Sequence, residues 1–387
     1  MTSVLIEGDN MVYVVGAGLT KVGNHWDKSL RHLAVEASLM ALEDYGKDVD
    51  YIVVANALSG VVSGQENLGS YVATHLGKVG LPAVKVEAAG ASGGAAVLVA
   101  RGLISSGLAD RVLVVGVEKL TDYTALEDSN SALSTVIDSE YEAFPGGTLD
   151  AMHAMVMRAY MNKYGLSKEE FSYLPLLMHE NAVDTPHAQL RFKLKPQSYA
   201  SSPVIAEPLN MLDLAPVGDG AAAIVLSKEA DGKNGNAEIV SSGQATDSIS
   251  IYRRKDLTEM PSIKAAYERA LERAPDFKPD FYIIHDYSSA MGYIAVEELG
   301  LAQRGKASQL FSSGEARRDG STPINPEGGL KARGNPVGAT GVYQVAEAYL
   351  QVTGRAEGWQ VQGARSGLTL SVGGVGSNSV VHLIRGV

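Results

Sequence analysis

One segment has the residue pattern of a reactive turn between a strand and a helix. Val84-Lys85-Val86 alternates as a β-strand does, and Gly90-Ala91-Ser92-Gly93-Gly94 follows it before an apolar, helix-like run. The glycines allow a sharp turn, and a helix that begins there presents unpaired N–H groups and the positive end of its dipole. Many enzymes place a nucleophile at such a turn, and this one formally matches Gly-x-Ser-x-Gly, the pattern around the serine of many hydrolases.

Ser92 therefore supports a serine hydrolase hypothesis. Its hydroxyl would need a carboxylate such as Asp219 or Asp286 and a histidine later in the chain such as His382. The alternative is that Ser92 only stabilises the turn. The larger pattern described below favours this structural role.

Three further segments carry groups that are able to hydrogen-bond a substrate. Ile284-His285-Asp286-Tyr287 follows an apolar strand, and Asn335 lies within the glycine-rich run from Gly328 to Gly341. Ser371 begins the segment Ser371-Val372-Gly373-Gly374-Val375-Gly376. An amide cannot act as a base at neutral pH, and a phenol or an aliphatic hydroxyl stays protonated unless its pKa is strongly shifted.

In this order along the chain, the four segments resemble the motifs of the thiolase superfamily. In that family a strand that ends in Glu-Ala-Ala-Cys-Ala-Ser-Gly-Gly carries the acyl-accepting thiol, and a Gly-His-Pro-x-Gly-Ala-x-Gly loop carries a histidine. Archaeal and sterol-carrier-type members also have a His-Asp-Cys-Phe segment. The resemblance puts the nucleophile position at Gly90, the base position at Asn335 and the third motif's cysteine position at Tyr287. Ser371 stands where other thiolases carry the cysteine of Cys-x-Gly-Gly-Gly.

The resemblance implies a protein that handles acyl-CoA with part of the usual machinery replaced. In the family a thiolate takes the acyl group, a second cysteine moves a proton, and backbone N–H groups with a His/Asn pair hold the developing oxyanions. This chain has no cysteine. His285, the N–H of Gly90 and the N–H groups of Gly373 and Gly374 remain. Gly90 itself is either a packing glycine or one that enlarges the pocket for other chemistry.

Two functions follow from this resemblance. The first is a thiolase-like, acyl-CoA-handling protein that is related to acetyl-CoA C-acetyltransferase and lacks normal thiolysis and Claisen condensation. The second is a non-catalytic partner subunit of an active thiolase or of a CoA-pathway complex. The resemblance also implies a homodimer or homotetramer. CoA or acyl-CoA is then a ligand or substrate, and no separate cofactor is expected.

The order of elements predicts an α/β protein. The first part alternates strands and helices, which predicts a mainly parallel sheet covered by helices. Residues 119–214 are richer in polar residues, Met and Tyr, and are predicted to be an inserted loop domain. A Gly/Lys/Asn segment predicts a boundary between halves 1–229 and 230–387. The resemblance implies a thiolase-like, duplicated α/β/α/β/α layered fold.

Charge and composition limit the ligands. A net charge of −11 argues against nucleic acids and anionic membranes as partners. No apolar run reaches the ~18 residues of a membrane span and no secretion signal is visible, so a cytoplasmic location is expected. The histidine spacing predicts no metal site. The phosphates of CoA would need a local basic patch, for which Arg191 and Lys193 are candidates beside the alternative of a solvated charged face.

Overall fold

The structure, a computed structural model, describes residues 11–122 and 126–387, so residues 1–10 of the predicted N-terminal half and residues 123–125 of the predicted loop domain lie outside it. The strands in the described part are β1 Tyr13–Leu19, β2 Tyr51–Ala55, β3 Ala83–Val86, β4 Arg111–Glu118, β5 Val204–Ala206, β6 Leu209–Asn210, β7 Gly220–Ser227, β8 Ala237–Thr246, β9 Phe281–Ile283, β10 Ser366–Gly373 and β11 Asn378–Gly386. The helices are α1 Leu30–Tyr45, α2 Ser59–Val62, α3 Leu68–His75, α4 Ser92–Ser105, α5 Leu126–Leu133, α6 Leu149–Tyr164, α7 Tyr173–Ala182, α8 Pro196–Ala200, α9 Pro261–Leu271, α10 Ser289–Glu298, α11 Ala307–Ser312 and α12 Thr340–Val352.

Nine of these strands form one mixed sheet in the order β3-β2-β4-β7-β1-β8-β11-β10-β9. Only β2–β3, β2–β4 and β9–β10 are parallel, and the other neighbours are antiparallel. The prediction of a mainly parallel sheet is therefore wrong. Strand direction depends on the connections: β10 and β11 are joined by the short turn 374–377, which only an antiparallel pair allows.

The two ends of the sheet repeat one topology. The order β2-β4-β7-β1 has the same strand directions as β9-β10-β11-β8. Strand β3 lies parallel to β2, and its counterpart is a single parallel bridge between Tyr282 of β9 and Ile324. This repeat agrees with the predicted duplicated fold.

Two helices with glycine in their first turns pack against each other between the two halves of the sheet. Helices α4 and α12 are in contact, and a Cβ atom added to Gly93 would lie 2.6 Å from the Cα atom of Gly341. Only glycine permits this approach. Helix α1 packs on the strands of the first half of the sheet, and α9 packs on those of the second half. With each half of the sheet counted as one layer, the order of layers is helix, sheet, helix, sheet and helix.

The short turns that precede the two central helices also touch each other. They span Ala89–Ala91 and Val337–Ala339, so the Gly90 and Asn335 segments meet near the N-termini of α4 and α12. The segment between β4 and β7 adds helices α5 to α8 and the hairpin β5–β6, and its helix α6 packs on α10. Across the described residues, none of the helices combines the length and the apolar character that crossing a membrane requires.

Candidate active site

The nucleophile position lies in the turn between β3 and α4 and has no room for a side chain. Gly90 is buried, and a Cβ atom added there would lie 2.5 Å from the carbonyl oxygen of Val372 and 3.1 Å from Cε1 of His285. Real Cβ atoms do not approach a backbone oxygen this closely. Of the two roles considered for Gly90, the geometry therefore favours close packing over an enlarged pocket.

The imidazole of His285 lies directly against Gly90. The ring is buried, and its Nδ1 atom has no hydrogen-bond partner in the described part of the chain. Burial, reinforced by the nearby His153 and Arg333, lowers the pKa of His285 to about 3. The ring is therefore neutral at pH 7 and is able to offer one nitrogen to a ligand without bringing a charge.

Tyr287 forms a phenol–carboxylate pair with Asp150. The Tyr287 hydroxyl donates to Oδ1 of Asp150 at 2.7 Å. Burial and the Asp150 carboxylate raise the pKa of Tyr287 well above its usual range, and burial also raises the pKa of Asp150. A proton can pass along such a hydrogen bond from the phenol to the carboxylate, which moves the single negative charge of the pair from Asp150 to Tyr287.

Helix α6 of the inserted segment supplies this carboxylate and one more histidine. Thr148 caps the helix by accepting the N–H of Ala151, which fixes the start of the helix, with Asp150 in its first turn and His153 at the beginning of the second. The His153 ring lies 4.8 Å from the Tyr287 ring, between centroids, and its Nδ1 atom lies 3.1 Å from the hydroxyl of Ser288. Burial lowers the pKa of His153 to about 3.

The two remaining predicted side chains are buried and have partners. The Oδ1 atom of Asn335 accepts the hydroxyl of Thr340 at 2.8 Å. The Ser371 hydroxyl donates to Oε1 of Gln344 at 2.7 Å, against Gly94 of helix α4. The structure thus gives the Ser371 hydroxyl a partner in the core, and its role in chemistry stays a prediction.

The glycine loop that begins at the last residue of β10 closes over the turn that carries Gly90. A Cβ atom added to Gly373 would lie 2.6 Å from the carbonyl oxygen of Ala88, and one added to Gly374 would lie 2.8 Å from that of Val136. Gly373 therefore packs on the turn itself, and Gly374 packs on the neighbouring segment of the insertion. Their service as oxyanion donors stays a prediction.

A cavity of about 700 Å³ opens at the outer side of this turn. Its wall includes Ala88, Ala89, Val136, Thr246 and Ser377. This volume lies within the range of small-molecule sites. Lys85 is the one cation among the described residues that line it, and its Nζ atom is 2.9 Å from Glu66.

Comparison of the sequence with models of known protein families identifies the family of this chain. The family model described as "Thiolase, N-terminal domain" matches residues 12–230, and the one described as "Thiolase C-terminal domain-like" matches residues 243–385. The chain belongs to the thiolase family. This confirms the predicted family and fold.

Relatives across most of the chain agree with this assignment. An acetyl-CoA acetyltransferase of Methanothermobacter thermautotrophicus is 38% identical over 380 residues, which cover 96% of this chain and 98% of that protein. Sterol carrier protein 2 of Bos taurus is 31% identical over 397 residues, 97% of this chain and 72% of that protein. A solved structure described as "Ltp2-ChsH2(DUF35) aldolase" has a TM-score of 0.83 at 22% identity and covers 97% of this chain and 98% of that one.

Sequence reasoning missed Asp150 and His153. Neither belongs to the four thiolase motifs, and both come from the inserted segment. The available signal was the i, i+3 spacing of Asp150 and His153 just after the N-cap residue Thr148, which puts both side chains on one face at the start of a helix.

The hydrolase hypothesis is not supported by the hydrogen bonds of Ser92. Its hydroxyl accepts the N–H of Ala88 at 2.8 Å and donates to the carbonyl of Ala89 at 2.6 Å. Both bonds stay within the turn. One candidate carboxylate, Asp286, accepts the N–H of Leu330 through Oδ1.

The other two members of the postulated triad are also engaged elsewhere. His382 lies between the hydroxyl of Ser242, at 2.8 Å from Nδ1, and the carbonyl of Gly94, at 3.0 Å from Nε2. Asp219 forms a buried ion pair with Lys119 at 2.8 Å. The hypothesis of a serine hydrolase is therefore wrong in its geometry, because these side chains do not assemble a triad.

We expect a fluorophosphonate probe to leave the protein unlabelled. Ser92→Ala should instead lower the free energy of unfolding by about 1–3 kcal/mol, because a buried N–H and carbonyl lose their partner. Chemical denaturation measures this, with Ser106→Ala at the exposed end of α4 as the control, for which a change within about 0.5 kcal/mol is expected. Labelling that disappears in a fully stable Ser92→Ala protein would restore the hydrolase hypothesis.

The predicted CoA contacts lie outside the 700 Å³ cavity. The Nε atom of Arg191 donates to the carbonyl of Val183, and Lys193 lies 3.6 Å from Glu180 and lines a separate cavity of about 310 Å³. Neither residue is part of the wall beside Ala88 and the Gly90 turn. Their contact with CoA phosphates stays a prediction.

Proposed function

We propose that this protein binds an acyl-CoA thioester and acts on it without an acyl-enzyme intermediate. The observation that carries the proposal is the packing at Gly90, where the carbonyl of Val372 and the ring of His285 fill the space of a nucleophilic side chain. Thiolysis and Claisen condensation in the family pass through a covalent thioester. Neither is therefore expected here.

The chemistry that best suits the remaining groups is aldol cleavage of a 3-hydroxyacyl-CoA. A 3-ketoacyl thioester breaks between carbons 2 and 3 only after a nucleophile adds to the ketone. A 3-hydroxyacyl thioester already carries that oxygen. Loss of its hydroxyl proton forms the new carbonyl, the electrons of the C2–C3 bond pass into a thioester enolate, and a proton added at carbon 2 completes the reaction. The similar fold that is described as an aldolase supports this class.

Each group has a role in this proposal. Tyr287 and Asp150 take up the hydroxyl proton, since the phenol can accept it while passing its own to the carboxylate. The neutral His285 and the backbone of Gly373 and Gly374 hydrogen-bond the enolate oxygen. The thioester end enters the cavity and reaches these groups once the turn at Ala89 or the loop at Gly373 has moved. The phosphates stay outside the cavity because acidic side chains there outnumber Lys85.

The test is turnover of 3-hydroxyacyl-CoA thioesters that differ in chain length and in substitution at carbon 3. We expect an aldehyde or ketone, trapped as its hydrazone, together with the shortened acyl-CoA in equal amounts. Acetoacetyl-CoA with free CoA is the comparison substrate and should remain uncleaved. Cleavage of acetoacetyl-CoA would contradict the proposal.

A second candidate is the non-catalytic partner subunit. One observation favours it: among the described residues, the wall of the 700 Å³ cavity includes neither His285 nor Tyr287, so the turn at Ala89 or the loop at Gly373 must move before a substrate reaches them. The solved structure that pairs Ltp2 with ChsH2(DUF35) in its name is consistent with a complex. CoA binding without any turnover, and co-purification with a cysteine-bearing thiolase, would support this candidate. The homodimer or homotetramer stays a prediction.

A further inference from the structure

A group of charged and polar side chains is buried behind the loop that carries Asn335. Each has at least one side-chain atom without a hydrogen-bond partner in the described part of the protein. These atoms are Oδ2 of Asp286, Nδ2 of Asn325, Oε2 of Glu327, Nη1 and Nη2 of Arg333 and Oε2 of Glu347. All five residues are fully buried.

The five side chains of this cluster lie in two adjoining groups, and the charges of one group act on the carboxyl groups of the other. The Nε atom of Arg333 lies 3.1 Å from Oε1 of Glu347. Asp286 and Asn325 both lie against Gly329. A Cβ atom added to this glycine would be 2.6 Å from Oδ1 of Asp286 and 2.5 Å from Nδ2 of Asn325. Glu327 accepts the N–H of Gly329 through Oε1. Donors and acceptors are thus close together but not aligned with each other.

On the side away from His285, the cluster extends to a second cavity. The Oε1 atom of Glu347 lies 2.8 Å from Nε2 of His187. His187 lines a second cavity of about 400 Å³ together with Lys21 and Trp359. On the side of the candidate active site the cluster begins at Asp286, which follows His285 in the chain.

A buried donor or acceptor without a partner destabilises the folded protein. Several such atoms of both kinds in one place are the usual environment of buried water, which makes about three hydrogen bonds to otherwise unsatisfied groups. We propose that Asp286, Asn325, Glu327, Arg333 and Glu347 hold ordered water molecules that form a proton path from His285 to the second cavity at His187.

The charges of the cluster are consistent with this path. Burial and the nearby carboxylate of Glu347 raise the pKa of Glu327 well above its usual range, which favours the protonated form of Glu327. Burial raises the pKa of Asp286 to about 6. A protonated and an ionised carboxyl group joined by water can exchange a proton. The path does not depend on the reaction proposed above. It would serve that reaction by exchanging a proton with solvent while substrate fills the 700 Å³ cavity.

The first test is a crystal structure of the full chain at a resolution that shows ordered water. We expect water within about 2.7–3.2 Å of Nη1 or Nη2 of Arg333 and of Oε2 of Glu327 or Glu347. Direct pairing of the guanidinium with both carboxylates, with no water between them, would overturn the proposal. This measurement requires no activity, so its failure is distinguishable from a failure of the proposed function.

The second test follows the proton of Glu327 by infrared spectroscopy. We expect a carboxylic acid band that Glu327→Gln removes and that shifts rapidly in D₂O. His187→Phe should slow this shift several-fold, whereas His187→Gln, which keeps a hydrogen-bonding group, should leave it nearly unchanged. An equal rate in the unaltered protein and in both His187 variants would overturn the path through His187. If Glu327→Gln fails to fold, the crystal structure still decides whether water is present.

Discussion

Gly90→Cys is expected to destabilise the protein rather than to create a thiolase. The new Cβ atom would meet the backbone oxygen of Val372 at 2.5 Å, and a backbone atom cannot rotate away as a side chain can. Forcing extra atoms into a close-packed site costs about 1–3 kcal/mol. Adding Asn335→His should not rescue cleavage of acetoacetyl-CoA, because the restored base would lie beside a displaced thiol.

Chemical denaturation and an acetoacetyl-CoA cleavage assay together check this expectation. Gly102→Ala is the matched control, since Gly102 lies in the same helix α4 with open space at its Cβ position. That control should gain about 0.5–1 kcal/mol, the usual benefit of alanine over glycine in a helix. A Gly90→Cys protein of undiminished stability, or one that cleaves acetoacetyl-CoA, would contradict the geometry described for the turn.

Tyr287→Phe is expected to lower the rate of 3-hydroxyacyl-CoA cleavage by about 10²–10⁴-fold, the usual effect of losing a positioned acid or base. The phenyl ring still fills the space, so CoA thioester binding should be nearly unchanged. Asp150→Asn should have a similar effect on the rate. Because both residues belong to one relay, the double variant should be little slower than either single variant.

Kinetics at saturating and at low substrate concentration distinguish the relay role of Tyr287 from a purely structural role. The loss should appear in kcat, with the dissociation constant of the thioester preserved. Tyr293→Phe is the matched control, because its buried hydroxyl donates to the carbonyl of Glu170 instead of Asp150. A Tyr287→Phe protein that turns over as fast as this control would exclude the relay.

The sequence predicted those parts of the site that lie in contiguous motifs. His285, Asn335 and Gly373 belong to short segments whose residue types are informative by themselves, and the structure brings these segments to one turn. Asp150 and His153 were missed because they come from a helix of the inserted segment. Only tertiary packing brings that helix to Tyr287.

The other predictions that differ from the structure also have physical explanations. Apolar periodicity indicates which residues lie in strands but not the direction of the strands, so the mixed character of the sheet was not predicted. The Gly-x-Ser-x-Gly pattern did not reveal that Ser92 bonds the backbone on both sides of the turn. The closure of the Gly90 site depends on the distant carbonyl of Val372, which no local pattern reports.

Intact-protein mass spectrometry during incubation with acetyl-CoA and with acetoacetyl-CoA tests most directly whether the protein works without an acyl-enzyme. We predict an unmodified mass at every time, because no side chain at residue 90 is available to hold an acyl group. A mass increase equal to one acyl group, mapped to the peptide 86–101 that carries the turn, would contradict this prediction.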